Sequence, residues 1–192
     1  MRAIWRLSPS ATLGSAVRAK GIQREIRFKL PLAARKCATV EAGSLILQIP
    51  ESDVDVFDAA SMTISKSLDN IDALPVIPRE AEDILAISSR ERHKWIKDGR
   101  LRSIGTRTVK LRGRSKAVTF HVFDPRHIEE LLDGDLPAVW REQDALEAAE
   151  NRRRAAGKAA RTRAAKAQSK GKPPQRQELD GWYTFNDEGL LR

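Results

Sequence analysis

The sequence predicts a mainly α chain with one small β-hairpin. Two helices, a basic hairpin and a third helix occupy residues 77–135, with an N-terminal β arm before them and a long basic C-terminal helix and tail after them. Three observations carry this. Ser88 stands three residues before Glu91, the spacing of a capping box in which each side chain satisfies a free backbone N–H at a helix start, and Gly99 supplies the left-handed residue that ends such a helix. Residues 104–111 and 117–123 alternate in polarity about the turn Arg112-Gly113-Arg114-Ser115-Lys116. Asp124-Pro125 then gives a capping carboxylate followed by proline in a first helical turn.

Residues 1–24 carry Arg2, Arg6, Arg18, Lys20 and Arg24 with serines and no acid, the composition of a disordered basic tail or of an organelle-import segment. Of the two we expect the tail. Residues 25–76 read as an accessory region, acidic in its second half. The alternation of Ile22, Ile26, Phe28 and Leu30 with polar residues suggests a strand over residues 22–30, and residues 43–49 suggest another. Beyond them Val54, Val56, Phe57, Met62, Ile64 and Leu68 follow no clean period.

The core begins after Pro75 and Pro78, where Ala81, Ile84 and Leu85 fall at helical spacing. Trp95 and Ile96 of the next helix lie on the side that meets Ile84, Leu85 and Leu101, and the remaining surface carries Arg90, Arg92, His93, Lys94 and Lys97. In the hairpin Val109 and Leu111 share a face with Val118, Phe120 and Val122, while Thr108, Lys110, Arg112 and Thr119 take the other. Ile128, Leu131 and Leu132 return an apolar stripe to the core from the third helix, and His127 falls on its exposed side. Residues 136–170 are an Ala/Arg-rich helix former, with cations and no acid over residues 152–176. After Pro173-Pro174, residues 171–192 are a linker ending in Trp182, Tyr183 and Phe185.

Charge narrows the class of partner. The chain is +9, and the excess is uneven: residues 51–83 are acidic, whereas residues 90–116 set many Lys and Arg against only Glu91 and Asp98. Such segregation concentrates a positive field and favours a polyanion. The lone Cys37 and three scattered histidines offer no metal-ligand spacing, and no cofactor is expected. No apolar run approaches the ~20 residues of a membrane span, so no membrane partner is expected. P-loop, dinucleotide and nucleophile-elbow patterns are absent, which points to a binding protein and not an enzyme.

The sequence Ile87-Ser88-Ser89, then Lys94-Trp95-Ile96-Lys97-Asp98-Gly99-Arg100-Leu101, then a hairpin, then Phe123-Asp124-Pro125-Arg126-His127-Ile128-Glu129-Glu130-Leu131 resembles the winged helix-turn-helix of MerR-type regulators and phage excisionases. The resemblance covers residues 77–133. It implies a second helix in the major groove and a wing on the backbone or minor groove. Carried over, it makes Ser89, Arg90, Arg92, His93 and Lys94 helix contacts and Arg112, Arg114 and Lys116 wing contacts. Lys97, Lys110 and the Arg152-Arg153-Arg154 run add candidate nucleic-acid contacts from composition. The long dimerising helix and effector site usual in MerR-type regulators have no counterpart in the motifs. Trp140-Arg141-Glu142-Gln143-Asp144-Ala145-Leu146-Glu147 is weakly similar to the helix after the DNA-binding fold of xeroderma pigmentosum group A repair proteins, without their cysteine-rich zinc module.

The expectation is therefore a DNA-binding protein, a transcriptional regulator or an excisionase-like architectural factor, acting on double-stranded DNA in a bacterial cytoplasm. RNA binding through the arginine-rich tail is the alternative. A third reading is an adaptor, or homodimer, joined through the acidic segment or the C-terminal aromatics.

Overall fold

The computed structural model describes residues 1–110 and 117–171, the side chains as far as 168. Small antiparallel sheets and helices alternate along the chain. Met1–Trp140 is one compact unit; the chain from Arg141 belongs to a second.

The first 24 residues are not a tail. They form strand β1 (Arg2–Arg6), the short helix α1 (Pro9–Thr12) and the first half of helix α2 (Ala16–Lys29). Serines start both helices: the Ser8 hydroxyl accepts from Ala11 N–H at 3.1 Å, and the Ser15 hydroxyl from Arg18 N–H at 2.9 Å. The strand expected over residues 22–30 is helical instead. Ile22, Ile26 and Leu30 are four apart, a spacing that fits one face of a helix as well as one face of a strand, and all three are buried while Phe28 is exposed.

Strands β2 (Ala38–Glu41) and β3 (Ser44–Gln48) follow, the latter where the sequence predicts it. They are joined by a two-residue turn, Ala42 and Gly43, both at positive φ as the hairpin twist requires. The sheet order is β1-β3-β2, with Trp5 and Val40 both opposite Leu45 on one face and Ile4 opposite Ile46 on the other. The Leu45 and Leu47 side packs with Ile22 and Ile26 of α2 and with Ala60 and Ile64 of helix α3 (Val54–Leu68). Trp5 Nε1–H donates to Ser65 Oγ of α3 at 3.1 Å. The accessory region is thus a folded half with its own apolar core.

A second core starts at Val76. Helices α4 (Pro78–Ile84) and α5 (Ser89–Lys97), strands β4 (Gly105–Lys110) and β5 (Ala117–Val122), helix α6 (Pro125–Asp133) and the first turns of helix α7 (Leu136–Gly171) surround it. The α5 capping box forms as read: Ser88 N–H donates to Glu91 Oε2 at 2.7 Å, and Glu91 N–H to Ser88 Oγ at 3.2 Å. Gly99 takes φ 77° after α5, and the Asp124 carboxylate caps α6. Val76 and Phe123 exchange two backbone hydrogen bonds of 2.9 Å, which ties the start of α4 to the end of the hairpin. Trp95 is 0% exposed and meets Trp140 edge-on, centroids 4.9 Å apart. Two expectations fail here. Leu132 faces solvent, because Pro125, Ile128 and Leu131 fill the α6 stripe, and among the described hairpin aliphatics only Val122 is buried while Val118 is exposed. Leu111 lies outside the described residues.

The two cores are joined by a buried ion pair. Arg18 Nη1 donates to Glu80 Oε2 at 2.8 Å, the side chains 0% and 3% exposed. The guanidinium also donates to the carbonyls of Ala11, Leu74 and Pro75, and Glu80 Oε2 accepts from Ile77 N–H at 3.1 Å, capping α4. Burial pushes the Glu80 carboxyl above its ordinary 4.5, outweighing the opposing Arg18 charge and hydrogen bond. Gly21 permits this approach: a Cβ there would stand 1.8 Å from Glu80 Oε1. No helix among the described residues is long and apolar enough to cross a membrane.

Two outcomes follow for this junction. In an unconstrained helix Gly→Ala stabilises by about 0.5–1 kcal/mol; here Gly21→Ala should instead destabilise by about 1–3 kcal/mol through overpacking, read as a lower urea midpoint. Because the native Glu80 binds its proton more tightly than the unfolded chain, its contribution is fully present below the unfolded pKa and is lost as pH rises through the folded one. Wild type should therefore gain on Glu80→Gln as pH falls from 7 toward 4 in paired urea melts; a difference independent of pH contradicts this.

Candidate nucleic-acid interface

Helix α5 divides its charges between two sides, and the division follows from a repeat of 3.6 residues. Arg92, three residues before Trp95, shares the inward side. It is 8% exposed, and its Nε donates to Glu82 Oε1 of α4 at 2.8 Å. The expectation that Arg92 contacts nucleic acid is therefore corrected: it is a structural link between α4 and α5. Arg90, His93 and Lys97, spaced at i, i+3 and i+7, lie together on the opposite, exposed side, with exposed Ser89 beside them. Lys94 is half-buried at the margin.

His93 is held in place on this surface. Its Nε2 lies 3.4 Å from Arg92 Nη2, which can only donate, so Nδ1–H is the donor to Ser89 O at 2.7 Å. Arg100, just past the helix, pairs with Asp98 at 2.7 Å and lies 5.8 and 5.7 Å from the ring centroids of Trp95 and Trp140. Its role is to cover the tryptophans.

On the hairpin, Thr108, Lys110, Thr119 and His121 share one face. Lys110 is exposed, and the Thr108 and Thr119 hydroxyls are 2.7 Å apart. Arg107, on the other face, reaches Glu25 of α2 at 2.6 Å, a contact nothing in the local sequence announces. Arg112, Arg114 and Lys116 lie outside the described residues. Arg152, Arg153 and Arg154 are exposed on α7, in the second unit, with Arg154 paired to Glu150 four residues earlier. His127 is less exposed than expected, its Nε2 accepting from Arg102 N–H at 3.4 Å.

No protein-family model, curated protein or solved structure matches this chain. The site therefore rests on its own geometry. Among the described residues no group of His, Cys, Asp and Glu is arranged to hold a metal ion. The cleft beside α6 gathers the acids Asp69, Asp72, Asp124 and Glu129 with Ser10 and Arg126. What α5 offers is a rigid, cation-bearing helix face that can donate hydrogen bonds to anions and base edges.

The division of α5 is testable by stability alone. Arg92→Ala leaves Glu82 without its partner and should cost about 1.5–3 kcal/mol, whereas Arg90→Ala should stay within about 0.5 kcal/mol of wild type. Thermal melts of the two variants compared with wild type check this ordering.

Proposed function

We propose that residues 77–135 are a winged helix-turn-helix of the MerR and excisionase type, and that the chain binds double-stranded DNA as a transcriptional regulator or architectural factor. One observation carries the reading: Arg90, His93 and Lys97 stand together on the outward side of α5, while Trp95 and Arg92 fix the same helix from beneath. A helix pinned this way loses little entropy on contact, and an α-helix fits the major groove. The order helix, helix, hairpin, helix supports the same reading, and the Val76–Phe123 bridge ties the end of the hairpin to the start of α4.

The roles divide by chemistry. Arg90 and Lys97 read base edges, with Ser89 as a shorter-range donor or acceptor and the His93 ring set between them. Lys110, together with the hairpin-tip cations Arg112, Arg114 and Lys116, takes phosphates, and the Arg152-Arg153-Arg154 run of α7 adds sequence-independent contacts. The activity is binding, with no catalytic step.

Gel-shift titration of the full chain on a selected duplex and on random DNA tests this. Arg90→Ala and Lys97→Ala should each lose about 1–3 kcal/mol on the selected site and narrow the gap to random DNA. Lys110→Ala should weaken both duplexes alike. Unchanged discrimination in the α5 variants would overturn the assignment, and tighter binding to structured RNA of equal length would replace the partner.

A further inference from the structure

The N-terminal half carries a second cationic surface, and it adjoins the hairpin. Within residues 1–40 the only acid is Glu25, and Arg107 of β4 engages it at 2.6 Å. Among the cations of the same stretch, Arg18 is sequestered with Glu80. Lys20 and Arg24 are exposed on α2 and Arg27 is half-exposed, and none of these side chains makes a hydrogen bond or ion pair with any described residue. On a helix, residues three and four apart are neighbours. The three therefore form one patch, with Lys20 and Arg24 a like-charge pair that costs the helix a few tenths of a kcal/mol.

Solubility alone does not account for this pattern. A surface that only needs solvation mixes signs and gains from i, i+4 pairs of opposite charge. Here the signs are largely segregated: α3 exposes Asp55 and Asp58 with Lys66 in its last turn, whereas Glu25 is the one acid of α2 and is taken by Arg107. Glu25, next to Arg24, is the residue that holds the hairpin, so the cationic patch lies within about one helical turn of the wing.

We propose that α2 is a further element of the duplex interface, with Lys20, Arg24 and Arg27 taking phosphates on the flank next to the wing. The proposal rests on the DNA-binding reading and extends it. From Lys20 to Arg27 the helix rises about 10 Å, about the axial length over which one strand carries three phosphates. The contacts would be to backbone only and blind to sequence.

The experiment uses the full chain, the triple variant Lys20→Ala, Arg24→Ala, Arg27→Ala, and a selected duplex in two lengths: the minimal site, and the site extended by about one helical turn at each end. On the extended duplex the variant should bind about tenfold or more weakly than wild type at low salt and lose hydroxyl-radical protection on one flank. On the minimal site it should equal wild type. An unchanged footprint and affinity on the extended duplex overturns the proposal, and so does an equal loss on both lengths, which would remove the flanking placement. Arg90→Ala, run in parallel, separates the two readings: if it loses discrimination while the α2 variant behaves as wild type, only the flank contact fails. If wild type binds neither duplex, both fall. Equal melting temperatures of the triple variant and wild type verify folding, since none of the three side chains is buried.

Discussion

The contact between Arg18 and Glu80 orders the rest of the compact unit. Taking two charges out of water costs several kcal/mol per ion, and their attraction repays this only when the remaining donors and acceptors are met. Here they are: the guanidinium reaches Ala11, Leu74 and Pro75 carbonyls besides the carboxylate, and the carboxylate also caps α4 through Ile77 N–H. One side chain from α2 therefore fixes where α4 begins, and Gly21 is the residue that lets the two helices come close enough. The pair acts as a register pin more than as a source of net stability.

From that pin the chain of constraint runs outward. Glu82, one residue past Ala81 in the buried stripe of α4, holds Arg92 of α5. Trp95 is seated against Trp140 and capped by Arg100, so the rotation of α5 about its axis is determined. With that rotation set, Arg90, His93 and Lys97 have only the solvent side to occupy. The Val76–Phe123 bridge and the Arg107–Glu25 pair hold the hairpin to the same frame. The N-terminal half is thus part of the scaffold that orients α5, and a fragment beginning at residue 77 would lack both Arg18 and the α2 surface that covers Glu80.

Much of the second core was legible because its signals are local and redundant. Ser88 with Glu91, Gly99, and Asp124 with Pro125 mark helix ends by side-chain chemistry that acts within four residues, and each mark falls where the helix ends are found. The first core was not, for two reasons. Ile22, Ile26 and Leu30 satisfy a strand period and a helix period at once, and the arbiter, Ser15 capping Arg18, sits in a stretch whose basic composition suggests a tail. In α3, Ala60 and Ile64 are buried with Phe57 and Leu68 partly covered, but exposed Val54 and Met62 blur the stripe. At the candidate site the error was Arg92. Counting cations on a helix does not say which of them an acid on a neighbouring helix will claim, and Glu82 is ten residues away in sequence. Glu25 with Arg107, separated by 82 residues, lies further still beyond any local rule.

The central claim is that a folded, outward cation surface centred on α5 engages duplex DNA. Its most direct test is the salt dependence of duplex affinity for the full chain. If about six phosphates are neutralised, log affinity plotted against log salt concentration should fall with a slope near −5. A slope indistinguishable from zero would contradict the account.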